Sequence, residues 1–304
     1  VDAQTEWNPQ EYIAKVNEFF RRELLPSLSE SYAYSTENEL FQKKMSDEHL
    51  GATNGLKSFS GRYSGEMIRH AFDRWYDQGS LQGKWWENRA KQELSSGADI
   101  ALFGVILAAL YRQPQQLFEK AWQLCSFWLD DLAFASQNLI YIMTVQGIIN
   151  GVPLLDLCDY LVDLFTEMDE IGKRVASYDD VGAIAHTLRL VEKPQILDMD
   201  DRFMPLLMGM DCHIYHLLPG GYYYACKYCA DFEQGMLYAA NSGGNNVART
   251  ALTGGLLGAM NGLSGIPQRW VDGLQNYPEQ IPAGYGSQGE YLLSLAAKIA
   301  AKSH

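Results

Sequence analysis

The stretch Asn241–Trp270, NSGGNNVARTALTGGLLGAMNGLSGIPQRW, gathers the residue types from which a ligand site can be built. Gly243-Gly244 admits backbone conformations that a Cβ forbids. A turn of that kind opening a helix presents free backbone N–H groups to an anion. Asn245 and Asn246 add neutral amide oxygens. Arg249, one turn into the helix, brings a guanidinium able to hold a phosphate bidentately, or to form a salt bridge across the cleft. Upstream, Asp211, His213 and His216 lie in the segment leading towards this turn and could line the same pocket. For each imidazole the simpler alternative is a half-buried ring bonded to the backbone. The candidate ligand-binding set is therefore Gly243, Gly244, Asn245, Asn246, Arg249, Asp211 and His213, with no residue assigned as catalytic or as a metal ligand.

Beyond the turn, Gly254, Gly255, Gly258, Ala259 and Gly262 recur at spacings near three and four, giving the helix a small-residue face. Each glycine inside a helix costs roughly 1 kcal/mol relative to alanine. So many imply that another backbone, or a ligand, lies close against that face.

The order of these features resembles the carboxy-terminal signature of the ADP-ribosylglycohydrolase superfamily, and most closely its J1-crystallin-like branch. The matching positions are Gly243, Gly244, Asn246, Arg249, Leu257-Gly258-Ala259, Gly262, Ile266, Pro267 and Trp270. Ser96-Gly97-Ala98 and Ile214–Phe232 echo two further segments. The likeness covers roughly Gly61–Gly273 and is strongest over Asp211–Gly273. It implies a compact all-α bundle and ADP-ribose or a related nucleotide as ligand.

Departures from the pattern bear on the chemistry. Active members carry two Asp and a Thr after the glycine pair, which help hold two Mg²⁺ ions. Aligned on Gly243-Gly244, those positions are Asn245, Val247 and Ala248. Mg²⁺ wants an octahedron of oxygens, carboxylates among them; Asn245 offers one neutral oxygen, and the other two offer none. The early Asp-Asp-Thr is absent, the Asp pairs being Asp130-Asp131, Asp179-Asp180 and Asp200-Asp201. The family's opening segment is not found, residue 1 being Val. The expectation is a catalytically degenerate member with no cofactor, serving a structural, assembly or ligand-binding role. The alternative is an active hydrolase with a reduced Mg²⁺ site built from Asn245, Asn246, Asp211 and an acid of Asp198–Asp201.

Other clusters point less sharply. Cys212, His213, His216, Cys226 and Cys229 are zinc-type residues, but their spacing is wrong for the common fingers. Within one helix His216 and Cys226 would lie about 15 Å apart. Asp130-Asp131 and Asp179-Asp180 suit helix starts. Asp198–Asp201 (DMDD) reads as a solvated acidic loop. Trp85-Trp86 could present an exposed binding face and Tyr222–Tyr224 could line a pocket for a base or ribose, though aromatics are more often core.

The elements that must position these residues read as helices. An Asn8-Pro9-Gln10-Glu11 start predicts a helix over about Pro9–Leu25; Leu28–Ser60 reads as loop and Gly61–Asp77 as helix. Further helices are expected over Ala98–Arg112, Pro114–Leu129, Asp131–Asn150, Pro153–Ile171, Asp180–Leu190, Tyr215–Ala240, Asn246–Leu263 and Tyr291–Lys302. Short connections predict antiparallel neighbours. With no linker visible, the 304 residues read as a single domain, 1–304. A formal charge of −13 argues against nucleic acid or an anionic membrane as partner, leaving a protein assembly partner open. The longest apolar run, Ile100–Tyr111, is too short to span a bilayer. Five cysteines, an odd number, suggest a reducing, intracellular compartment, cytoplasmic or an organelle lumen.

Overall fold

The computed structural model describes residues 9–19, 98–129, 131–168, 170–177, 193–274 and 281–303. The expectations for Leu28–Ser60, Gly61–Asp77, Trp85-Trp86 and Asp180–Leu190 lie outside them. Every regular element among the described residues is helical, apart from an isolated bridge at Leu129. The fold is all-α. Two compact units divide the chain, 1–97 with 126–131 and 98–125 with 132–304. The described part of the first begins with helix α1 (Pro9–Phe19), where Ile13 is buried and Lys15 pairs with Glu11.

The second unit holds every candidate site residue. Its elements begin with α2 (Asp99–Leu110), α3 (Pro114–Trp128, running into the 126–131 segment), α4 (Leu132–Ile149), α5 (Leu157–Glu167) and α6 (Glu170–Ser177). They continue with α7 (Pro194–Leu197), α8 (Met204–Met208), α9 (Ile214–Lys227), α10 (Phe232–Asn241) and α11 (Asn246–Asn261). The short α12 (Gln268–Asp272) and α13 (Gln288–Ala300) complete the series.

Helix α4 is the core element. Phe134 to Ile148 are buried on all sides, as expected of a helix with no solvent face. Its 18 residues are long and apolar enough to cross a membrane, but 83% of them are packed inside the protein. Polar residues interrupt its apolar sequence, and those residues have internal work. Asn138 Oδ1 accepts the Ala101 N–H at 2.8 Å, and Gln146 Nε2 donates to the Tyr111 carbonyl at 2.7 Å. Both are groups that the ends of α2 leave without helical partners. Gly104 lets Ile142 into the space its Cβ would fill. The pairs 101–138, 104–142 and 111–146 run in the same direction, so α2 and α4 are parallel, with α3 between them in sequence.

Two predicted helices are each split. The Pro153–Ile171 span becomes a single 3₁₀ turn at Leu154–Asp156, then α5 and α6. The Tyr215–Ala240 span breaks at Tyr228–Asp231, where Asp231 caps α10 by accepting the Gln234 N–H at 3.0 Å. That break lets α10 fold back antiparallel to α11: Asn246 meets Ala240, and Gly235 sits against Leu257.

The small-residue face of α11 is covered by protein over part of its length. A Cβ at Gly255 would lie 2.3 Å from the Tyr141 hydroxyl, which is itself fixed by donating to the Leu252 carbonyl at 2.8 Å. Gly254 faces Met236, while Gly258 has open space. On the other side Gly220 and Gly221 of α9 admit Arg249 and Leu252 of α11. Gly220, Gly221, Gly254 and Gly255 are therefore helix-packing devices.

Candidate functional site

The glycine turn joins α10 to α11. Gly243 and Gly244 have φ of 76° and 62°, a region that L side chains avoid. At Gly244 a Cβ would also lie 2.4 Å from the Met210 carbonyl oxygen. That contact exists because the Asn245 N–H donates to the same carbonyl at 2.8 Å. Both asparagines serve the turn itself. Asn245 Oδ1 accepts the Ala248 N–H at 3.3 Å, capping α11, and Asn246 Nδ2 donates to the Ala240 carbonyl at 2.9 Å. Val247 stands 78% exposed beside them.

Met210 also begins the segment that carries the acid and the imidazoles. Gly209 closes α8 with a φ of 103°, and the ring of His216 occupies the place of its missing Cβ. Asp211 Oδ1 accepts the His213 N–H at 2.9 Å and pairs with His216 Nδ1 at 2.6 Å. Burial pushes the Asp211 carboxyl upward, but these two bonds outweigh it and hold the pKa below the ordinary value. His213 is the half-buried N-cap residue of α9. The backbone of Met210 thus places Asp211 and His213 next to the glycine turn, and His216 is the imidazole that partners the acid.

Arg249 lies beneath the turn. It is 1% exposed, its stem rests on Gly220, and its Nη2 donates to the Gly243 carbonyl. Its Nε is buried without a partner, and among the described residues no carboxylate pairs with it. Burial lowers its pKa. The side chain props the turn from inside.

The acidic run lies elsewhere. Asp200 is bound by Arg202, whose Nε reaches both its oxygens at 3.0 Å, and these bonds hold the carboxyl pKa down at about 2. Asp201 is buried and accepts from Tyr223 at 2.8 Å, Lys227 at 2.7 Å and Tyr228 at 2.5 Å. Its backbone carbonyl accepts from Tyr224 at 2.9 Å. Burial, then the bond to the carboxylate, raises the pKa values of Tyr223 and Tyr228. Tyr222, Tyr223 and Tyr224 are fully buried core residues and do not line a pocket, correcting the alternative weighed for them. The signal for this network was present in the spacing of Tyr223 and Lys227, at i and i+4 of one helix, with Tyr228 as its C-cap. What was missing was the carboxylate that meets them. Asp211 engages α9 at His216, whereas Asp201 engages it at Tyr223–Tyr228, about 10–18 Å further along the axis. The two acids do not converge.

The Mg²⁺ pair that the resemblance implies finds no fit at this turn. Asn245 is engaged in capping, and Val247 and Ala248 carry no donor oxygen. Among the described residues no group of three His, Cys, Asp or Glu could hold a metal ion. Cys226 is half-buried and Cys229 exposed, and neither is in a disulfide.

The family model for ADP-ribosylglycohydrolase matches residues 5–304. The chain belongs to the ADP-ribosylglycohydrolase family. The match extends well beyond Gly61–Gly273, the span over which the motifs alone carried the resemblance. A solved structure described as an ADP-ribosylglycohydrolase-related protein complex is similar with a TM-score of 0.54 and 16% identity, covering 98% of this chain and 82% of that one. At that identity the likeness speaks for the family fold. An uncharacterized protein of Archaeoglobus fulgidus is 29% identical over 111 residues, which is 36% of this chain and 33% of the relative. The aligned part spans about a third of that relative's length.

Proposed function

We propose that this chain is a non-catalytic member of its family, in the manner of the J1-crystallin-like branch, keeping the fold for binding or assembly without two-metal hydrolysis. The observation that carries this reading is the state of the glycine turn. Where active relatives place two carboxylates and a hydroxyl, this chain has a capping amide, an exposed valine and an alanine. An N-cap bond of this type stabilises the helix by about 1 kcal/mol, so Asn245 serves the fold in the place where a ligand would be needed. What remains accessible is a turn bearing Gly243, Gly244 and Val247, all exposed, with Asp211 and His213 at its side. These suit contact with ADP-ribose, a related nucleotide or a protein partner.

The alternative, a hydrolase with a reduced Mg²⁺ site, draws on Asn245, Asn246, Asp211 and one acid of Asp198–Asp201. The two asparagines are engaged by backbone groups, and Asp200 and Asp201 are bound to Arg202 and to Lys227 with its neighbouring tyrosines. That arrangement favours the first reading. An assay with an ADP-ribosylated substrate and millimolar Mg²⁺ tests it. Release of ADP-ribose at the background rate is expected; Mg²⁺-dependent release abolished by Asn245→Ala would overturn it.

A further inference from the structure

We propose that the apolar face carried by α8 and the end of α10 is the interface through which two copies of this chain associate. Helix α8 is apolar on both sides. Its inner residue Met204 is fully buried with Tyr223, Tyr224 and Ala239, and Met208 packs against them. Phe203, Leu206 and Leu207, at i, i+3 and i+4, turn the other way and are 52%, 67% and 61% exposed. A helix that is hydrophobic all round belongs in an interior, so the outer side of α8 is built to be covered.

The face continues beyond α8 in two directions. Met210 follows it, exposed, and lies against Gly243 and Gly244. Arg202, one residue before Phe203, lines a depression together with Leu237 and Tyr238 of α10, both also exposed. At about 150–200 Å² for each whole side chain, the exposed fractions of these six apolar residues leave on the order of 500 Å² open to solvent. That is near the upper end of what a monomer ordinarily shows. It is also what one side of a standard interface holds, about 800 Å² of which rather more than half is apolar.

Charge selects the occupant. The chain carries −13 overall, yet the charged groups beside Phe203 are matched: Arg202 pairs with Asp200, and Lys227 with Asp201. A strongly basic or acidic partner finds no unmatched charge here to fix it, while a second copy meets no uncompensated like charge. Arg202 and Asp200 are exposed, opposite in sign and two residues apart. Across a two-fold axis each copy therefore offers the group that the other can pair with. Because the face borders the glycine turn, dimerisation is the assembly role of that turn, and it rests on the turn serving contact and not hydrolysis.

Analytical ultracentrifugation of the full chain up to about 100 µM tests this, since interfaces of this size reach micromolar affinity or better. A monomer–dimer equilibrium is expected, tightening as salt rises from about 50 to 500 mM and screens the repulsion between two acidic copies. The double substitution Leu206→Glu, Leu207→Glu should weaken it about thirtyfold or more, the worth of central interface residues. Leu292→Glu, at an exposed apolar position on α13, should leave it unchanged. Circular dichroism checks folding. Should the double variant not fold, hydrogen exchange of the parent replaces it, and residues 203–210 should gain protection as concentration rises. A monomer at every concentration and salt overturns the dimer and leaves the face to another protein. So does a folded double variant that dimerises like the parent, or protection gained only elsewhere. The hydrolysis assay stands apart: Mg²⁺-dependent release of ADP-ribose sinks the reading of the turn whatever the oligomeric state, and a monomer with background release sinks the dimer alone.

Discussion

Asp201 shows how much a single buried carboxylate can organise. It receives Tyr223 and Lys227 from one helix and Tyr228 from its C-cap, and Lys227 also reaches the Met199 carbonyl at 3.0 Å. Removing the acid leaves a largely buried ammonium without its counter-charge, a change that typically costs 3–5 kcal/mol. Asp201→Ala should therefore lower the unfolding free energy by about that amount in urea titrations; a loss below about 1 kcal/mol would mean the network carries little. Asp200, one residue earlier, behaves differently because it is exposed. Its folded pKa of about 2 lies below the ordinary carboxylate value, so its pairing with Arg202 contributes above that ordinary value and is lost as pH falls towards 2. An NMR titration should place the Asp200 midpoint near 2, and Arg202→Gln should move it up towards about 4. A midpoint unchanged by that substitution would contradict the assigned cause.

At the scale of helices, the glycines of α11 separate two roles that the sequence alone presents as one stripe. Gly255→Ala drives a methyl into the anchored Tyr141 hydroxyl and should destabilise the protein by about 1–3 kcal/mol. Gly258→Ala meets nothing within 4 Å and should stabilise it by up to about 1 kcal/mol. Thermal unfolding of the two variants checks both signs; equal shifts would show that packing does not distinguish the positions. The stripe itself was legible because glycine is costly in helices and its spacing is regular. What covers it was not, because Tyr141 is remote in sequence. The same limit explains the split of Tyr215–Ala240: apolar periodicity runs through Tyr228–Asp231, and only the return of α10 against α11 makes the break necessary. The turn at Gly243-Gly244 was legible as a turn, since glycine's backbone chemistry is local. Its dependence on Met210 was not, and neither was the burial of Arg249, whose charge had suggested a phosphate contact or a salt bridge across the cleft.

For the molecule as a whole, membership of the ADP-ribosylglycohydrolase family rests on a match across residues 5–304, while the proposed loss of hydrolysis rests on a few positions around one turn. The fold tolerates this separation because α11 is held by its glycines, by Tyr141 and by Arg249, none of which depends on a metal. A net charge of −13 would favour divalent cations in general, so a weak Mg²⁺ effect on solubility or charge is not diagnostic. The decisive quantity is the coupling between Mg²⁺ and nucleotide. The most direct measurement is a calorimetric titration of ADP-ribose into the full chain with and without millimolar Mg²⁺, at constant ionic strength. The account predicts the same isotherm in both conditions. Binding that appears only with Mg²⁺ would contradict it and restore a metal-dependent site.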